Sequence, residues 1–199
     1  MKLKMPYGIS KYEKIVNDGY YYVDKTMYIE KLENLPETSI IFLRPRKFGK
    51  TLFTSVLENY YDKNKADKFE SLYGNTYIGK NPTKLKNTYC ILRFNFSGIN
   101  TENEETTMRG FKEKVSIFID SFAKKYGIDF YVNIEPENTL VIFDEVQETQ
   151  KALTALKYFC ENANQYNIVV AGLFLGVTMH EGISFPVEKV DFLDLYPLK

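Results

Sequence analysis

The 199-residue sequence has no tryptophan, one histidine and two cysteines, and its charges cancel at 26 basic and 26 acidic side chains. Each scarcity removes a class of function. Cys90 and Cys160 stand far apart, with no Cys-x-x-Cys pair and no Cys/His cluster, so the ligand spacing of a zinc site is missing. Both lie in apolar or amphipathic runs and are expected to behave as small buried hydrophobes. His180 has no second histidine with which to build a metal site or a catalytic triad. Zero net charge argues against a protein that coats nucleic acid by bulk charge, although a local basic patch stays open. No run approaches the ~18 consecutive apolar residues of a membrane span. Met1-Lys2-Leu3-Lys4-Met5-Pro6 carries charge with no apolar stretch behind it, unlike a secretion signal. The expected compartment is the cytoplasm, with no membrane partner.

What is present suits a folded domain. Hydrophobic residues make up 44% of the chain, with 16 Tyr and 15 Phe, which rules out wholesale disorder. A single domain of this length buries on the order of 70% of its unfolded surface and needs neither disulfide nor metal to fold.

Along the chain, Tyr20-Tyr21-Tyr22-Val23 suggests a short strand, and Asp24 a cap for a helix over 25–35 that ends before Pro36. Ser39-Ile40-Ile41-Phe42-Leu43 is a wholly apolar run, the pattern of a strand buried on both faces. A helical pattern follows over 52–61. Residues 62–88 are polar and predict a short helix and then loops. Further strands are expected at 89–96, 140–143, 168–172 and 190–196, and helices at 108–126, closed by Gly127, and at 154–162. Strands alternating with helices predict an α/β fold with a mostly parallel sheet. The shared apolar character of 39–43 and 140–143 leads us to expect these two strands to be central and adjacent.

The strongest local signal lies between the first apolar strand and its helix, Arg44-Pro45-Arg46-Lys47-Phe48-Gly49-Lys50-Thr51. A phosphate-binding loop needs a tight turn, exposed backbone N–H groups, a helix N-terminus and a lysine. Gly49 would admit phosphate oxygens close to the backbone, Lys50 would reach the outer phosphates, and the Thr51 hydroxyl would ligate Mg²⁺. The expected nucleotide-contacting set is Arg46, Lys47, Phe48, Gly49, Lys50, Thr51 and Leu52. Arg44 stands where the usual G-x-x-x-x-G-K-[ST] pattern has its first glycine. By themselves these residues leave open an ordinary solvated basic turn.

Leu140-Val141-Ile142-Phe143-Asp144-Glu145 has the form of a Walker B strand, whose carboxylates emerge at the carboxyl end where open α/β sheets bind ligands. Asp144 would contact Mg²⁺, directly or through water, and Glu145 is the candidate catalytic residue that polarises the attacking water. Six acids and no Lys or Arg lie between Asp129 and Gln150, which suits a metal and would repel nucleic acid. A different patch, Lys80, Lys84, Lys86 and Arg93 near Tyr77 and Tyr89, could stack and hold a single strand, though a solvated loop explains it as well.

From Pro6 through Tyr21-Tyr22-Val23-Asp24-Lys25-Thr26 and the loop ending Gly49-Lys50-Thr51, the chain resembles the prokaryotic AAA-ATPase-like family, whose members often carry a PD-(D/E)XK nuclease-like domain after the ATPase. The R-P-R-x-F-G-K-[ST] form is typical of that family, which makes Arg44 a family trait. The stretch from Ile134 onward, with Phe143-Asp144-Glu145-Val146-Gln147-Glu148, Ala152 to Glu161 and Gly182-Ile183-Ser184-Phe185-Pro186-Val187, resembles a related group of bacterial AAA-type ATPases. The resemblance implies a P-loop NTPase-like three-layer αβα fold with a five-stranded sheet of order 5-1-4-3-2, and ATP with Mg²⁺ as cofactors. The expected organisation is an N-terminal extension (1–38) packed on an ATPase core (39–199). A family junction is expected near 127–137, and the lid and C-terminal domain are expected to be absent. Leu173 replaces the polar residue that the second group carries after Ala171-Gly172, which implies weak hydrolysis or a nucleotide-binding module without turnover. A nucleic acid or protein partner would act through the missing domain, and oligomerisation is left open.

Overall fold

The five strands β1 (Ser39–Leu43), β2 (Cys90–Asn95), β3 (Thr139–Asp144), β4 (Asn167–Gly172) and β5 (Asp191–Leu193) form one sheet in the computed structural model. The structure describes residues 4–43, 49–100, 102–129, 134–148, 150–172 and 190–193. The order across the sheet is β2-β3-β4-β1-β5 and every pairing is parallel, which is the 5-1-4-3-2 order implied by the resemblance. One expectation fails. β1 and β3 are not neighbours: β4 runs between them, so that Val170 is paired with Ile41 on one side and Phe143 on the other. Apolar runs mark β1, β3 and β4 alike as doubly buried, and burial alone does not rank which of the three lie side by side.

Alternation along each strand splits the core into two layers. Ile40, Phe42, Leu140, Ile142, Val169 and Ile91 face α1 (Tyr12–Asn17), α2 (Met27–Glu33), α3 (Lys50–Tyr61), α4 (Phe69–Tyr73) and α5 (Tyr77–Lys80). Ile41, Val141, Phe143, Ile168, Val170, Leu92 and Phe94 face α6 (Glu104–Tyr126) and α7 (Gln150–Asn162). The fold is therefore a three-layer αβα sandwich. Cys90 and Cys160 are buried in the second layer, and neither forms a disulfide among the described residues.

Local chemistry sets the element ends. α6 starts four residues earlier than its apolar spacing predicts, because Asn103 caps it: Thr106 N–H donates to Asn103 Oδ1 at 2.9 Å and the reciprocal contact completes a capping box. Its first turn carries Glu104 and Glu105, its last Lys124 and Lys125, in line with the helix dipole, and Gly127 ends it at φ 65°. Tyr20-Tyr21-Tyr22-Val23 is not a strand; only Tyr20 bridges, to Lys4, while the Tyr22 ring packs edge-on against Tyr12. The Asp24 carboxylate accepts from Thr26 N–H at 2.8 Å and Tyr77 N–H at 2.7 Å, so it ties α2 to α5 instead of opening a helix at residue 25. The chain contains no described helix long and apolar enough to cross a membrane.

Candidate functional site

Gly49 sits at the N-cap of α3 with φ 83°, in the left-handed region, and a Cβ there would meet no atom within 4 Å. α3 begins at Lys50, after β1 in the chain, and the first four backbone N–H groups of a helix have no partner within it. Lys50 is 6% exposed, an unusual burial for a lysine in the first turn of a helix. Gly49, Lys50, Thr51 and Leu52 line a cavity of about 860 Å³ together with Asn95, Ser97, Glu145, Glu148 and residues 6–10. The cavity thus brings the helix start, the carboxyl ends of β2 and β3 and an N-terminal segment to one place. Arg46, Lys47 and Phe48 of the expected nucleotide-contacting set lie outside the described residues, as do Arg44, Leu173 and His180.

Strand alternation puts Asp144 on the same face as Leu140 and Ile142, toward α3. In β2 it puts Arg93 and Asn95 on that face with Ile91. The register pairs Asn95 with Asp144 and Arg93 with Ile142, so Arg93 is the diagonal neighbour of Asp144. Arg93 Nη2 donates to Asp144 Oδ2 at 2.7 Å, and Arg93 Nη1 to Glu58 Oε2 of α3 at 2.8 Å. Asn95 Nδ2 reaches the same Asp144 oxygen at 3.3 Å. Asp144 is fully buried, and among the described residues its Oδ1 has no hydrogen-bond partner.

Burial pushes the Asp144 carboxyl above its ordinary pKa, and the hydrogen bond and charge of Arg93 reverse this only in part. Burial opposes the charge on Arg93, and the Glu58 and Asp144 carboxylates outweigh it, holding the guanidinium above its ordinary value. Glu145 has φ 55°, rare for a residue with a side chain. Its N–H donates to Ala171 O at 2.9 Å, extending the β3–β4 ladder by one bond, and its carboxylate accepts from Gln147 Nε2. The left-handed step turns the chain out of the sheet at the cavity wall.

Asp144, which is buried and does not itself line the cavity, and Thr51, which does, each carry an oxygen of the kind a hard divalent cation takes: an unpartnered carboxylate oxygen and a hydroxyl; the Thr51 backbone O accepts from Thr54 Oγ1 at 3.0 Å. Thr54 Oγ1 lies 3.5 Å from Arg93 Nη2, linking the first turns of α3 to the Asp144 cluster. No group of three or more His, Cys, Asp or Glu suited to a metal occurs among the described residues, so the chain's own atoms make at most part of a coordination shell.

Three participants belong to no recognisable motif in the sequence. Asn95 and Ser97 line the cavity, with Ser97 N–H and Oγ donating to Asn95 Oδ1 at 3.0 and 2.6 Å. Their place at the carboxyl end of β2 was the available signal. By sequence Arg93 belongs to the basic run that suggests a nucleic-acid patch. The structure instead commits it to two carboxylates, places the Lys86 ammonium 4.2 Å from the centre of the Phe69 ring, and buries Tyr89. That run is not one open basic surface.

A family model described as "Predicted AAA-ATPase" matches residues 6–177, a range that includes the loop, Asp144, Glu145 and positions 127–137. An uncharacterized protein encoded in the vnfD 5′ region of Azotobacter chroococcum mcd 1 is 43% identical over 63 residues, which is 31% of this chain and 12% of that protein. A chain in the structure of the Drosophila origin recognition complex bound to poly(dA/dT) DNA and Cdc6 aligns over 93% of this chain and 28% of its own length, at 8% identity and a TM-score of 0.36. The chain spans less than a third of the length of either protein.

Proposed function

The chain belongs to the AAA-ATPase-like family, and from that premise we propose that it is a P-loop ATPase core that binds ATP with Mg²⁺ and hydrolyses it weakly on its own. The observation that carries this reading is the left-handed Gly49 at the head of α3, with Lys50 buried behind it and both lining a cavity shared with Glu145. A helix N-terminus and an adjacent ammonium attract a polyanion. Lys50 and the N–H groups of the first turn hold the phosphates, and Gly49, with no side chain, lets them approach the backbone. Thr51 Oγ1 and Asp144 Oδ1 are the groups that would hold Mg²⁺, which supplies charge neutralisation on the phosphate oxygens when bound. Glu145 orients the attacking water and accepts its proton. Residues 6–10 also line the cavity.

A nucleotide-binding module without turnover is the second reading. Two features favour it: Leu173, directly after β4, cannot donate to a terminal phosphate, and Arg93 is spent on Glu58 and Asp144. Groups that bind phosphate and metal in the ground state give affinity without rate.

Binding of a fluorescent ATP analogue with and without Mg²⁺, paired with a phosphate-release assay, tests both. Lys50→Ala should weaken binding by at least ~100-fold, the scale of a buried charge-assisted contact. Glu145→Gln should bind as the parent does and release no phosphate. Unchanged affinity in a folded Lys50→Ala variant would overturn the reading, and phosphate release equal to the buffer blank in the parent would select the second one.

A further inference from the structure

We propose that Arg93 is a positioning residue for the metal end of this site: by occupying Asp144 Oδ2 and anchoring to Glu58, it leaves Oδ1 as the one oxygen of that carboxylate offered to Mg²⁺. The inference rests on the nucleotide–Mg²⁺ reading above. Arg93 spans the two elements that must be held in register, α3, which begins with Lys50 and Thr51, and β3, which ends with Asp144. One guanidinium nitrogen takes Glu58 at 2.8 Å and the other takes Asp144 at 2.7 Å, while Asn95 adds a second donor to the same Asp144 oxygen at 3.3 Å. Arg93 and Asn95 both donate to Oδ2, and the backbone N–H of Glu145 lies near enough to favour the charged carboxylate, so the group cannot rotate freely, while Oδ1 holds no hydrogen bond of ordinary geometry among the described residues. The planar fork of arginine suits two carboxylates held at fixed separation, which the single ammonium of lysine does not reproduce.

Charge points the same way. Glu58, Arg93 and Asp144 sum to one negative charge and Glu145, whose charge also acts on Asp144, adds another, so the cluster attracts a divalent cation while Asp144 keeps a positive partner. A purely structural ion pair would hold the fold and leave metal affinity untouched. A positioning pair moves metal affinity while the metal-free affinity for nucleotide, set by Lys50 and the α3 N-terminus, stays where it was.

The experiment is a Mg²⁺ titration of fluorescent ATP-analogue binding in the full chain, with metal-free binding in EDTA measured alongside and folding checked by circular dichroism. Arg93→Lys retains the charge and is the variant expected to fold. Arg93→Ala and Glu58→Gln accompany it. Arg93→Lys should raise the half-saturating Mg²⁺ concentration by ~10-fold or more, the range seen when outer-shell partners of metal ligands are replaced. Its EDTA affinity should match the parent, and Glu58→Gln should shift the midpoint in the same direction by less. An unchanged Mg²⁺ midpoint in folded Arg93→Lys overturns the proposal, as does a lower midpoint, which would make Arg93 a competitor of the metal. If the parent binds no nucleotide in either buffer, the nucleotide reading itself falls and this inference with it. If the parent binds and only the midpoint prediction fails, the nucleotide reading stands.

Discussion

The backbone N–H of Tyr12 donates to Ser55 Oγ at 3.0 Å, which pins the first turn of α1 to the middle of α3. Tyr12 is the first residue of α1, so this N–H has no partner within its own helix, and Ser55 supplies one from 43 positions away. The Tyr12 ring continues into the core, where its hydroxyl donates to Leu72 O at 2.7 Å. Residues 6–10, which line the cavity, lead directly into this contact. The helix that carries Lys50 therefore also fixes where another part of the cavity lining enters the fold.

Ser55→Ala should leave the Tyr12 N–H buried and unpaired, and so destabilise the protein by about 1–3 kcal/mol. Tyr12→Phe should cost less, about 0.5–1.5 kcal/mol, because Leu72 O loses a donor while the ring keeps its packing. Urea unfolding midpoints measure both. A Ser55→Ala midpoint equal to that of the parent would mean the contact contributes nothing.

Gly49→Ala tests the turn. A Cβ at Gly49 has open space within 4 Å, so no clash with the protein confuses the result. Holding alanine at φ 83° should cost about 1–2 kcal/mol of stability. Affinity for nucleotide should fall further than this strain explains, because the new methyl group occupies the space through which phosphate meets the backbone. Equal losses in stability and in binding would argue that phosphate does not approach at Gly49.

The buried tyrosines give the protein an alkaline limit. Burial is the leading cause that raises Tyr12, Tyr22, Tyr61, Tyr73 and Tyr126 above the ordinary value of 10.0. A phenol whose folded pKa is raised adds stability that is whole below the unfolded value and drains away as pH climbs toward the folded one. Stability should therefore fall steeply above about pH 10, where the unfolded chain ionises and the folded one resists. These buried and half-buried tyrosines should ionise together with loss of the helical circular dichroism signal. Smooth ionisation of all 16 tyrosines with the helical signal intact would contradict the burial pattern.

How far the sequence discloses this molecule depends on the range of the interaction concerned. β1 was legible to the residue, and β2, β3 and β4 to within two, because doubly buried strands are short apolar runs bounded by polar residues. The Gly49-Lys50-Thr51 turn was legible because its chemistry is local. α1 was missed, since Tyr12, Ile15 and Val16 make too short a stripe to stand out. The first turn of α6 was missed because Glu104, Glu105, Thr106 and Thr107 carry no apolar period, although Asn103 was a readable cap. Arg93 was not legible as a partner of Asp144. That pairing joins residues 51 positions apart and depends on the β2–β3 register, which strand patterns alone do not fix. The placement of β4 between β1 and β3 likewise followed from the family resemblance and not from burial.

Glu145 offers the sharpest separation of stability from chemistry. It takes φ 55° although it carries a full side chain, and conformations of this kind cost on the order of 1–3 kcal/mol unless the residue is glycine. Nothing in the ladder demands a glutamate there: the bond from its N–H to Ala171 O would form with any residue except proline. Glu145→Gly and Glu145→Ala both delete the carboxylate and its contact with Gln147, but only glycine relieves the backbone. The glycine variant should therefore be more stable than the alanine variant by about 1 kcal/mol, the reverse of the order found in regular helix or strand interiors. Both should retain nucleotide affinity, since Lys50 and the α3 N-terminus are untouched, and both should lose whatever phosphate release the parent shows. Thermal melts give the first comparison and the release assay the second. An alanine variant at least as stable as the glycine variant would show that the left-handed turn stores no strain, and phosphate release surviving in both would remove Glu145 from the chemistry.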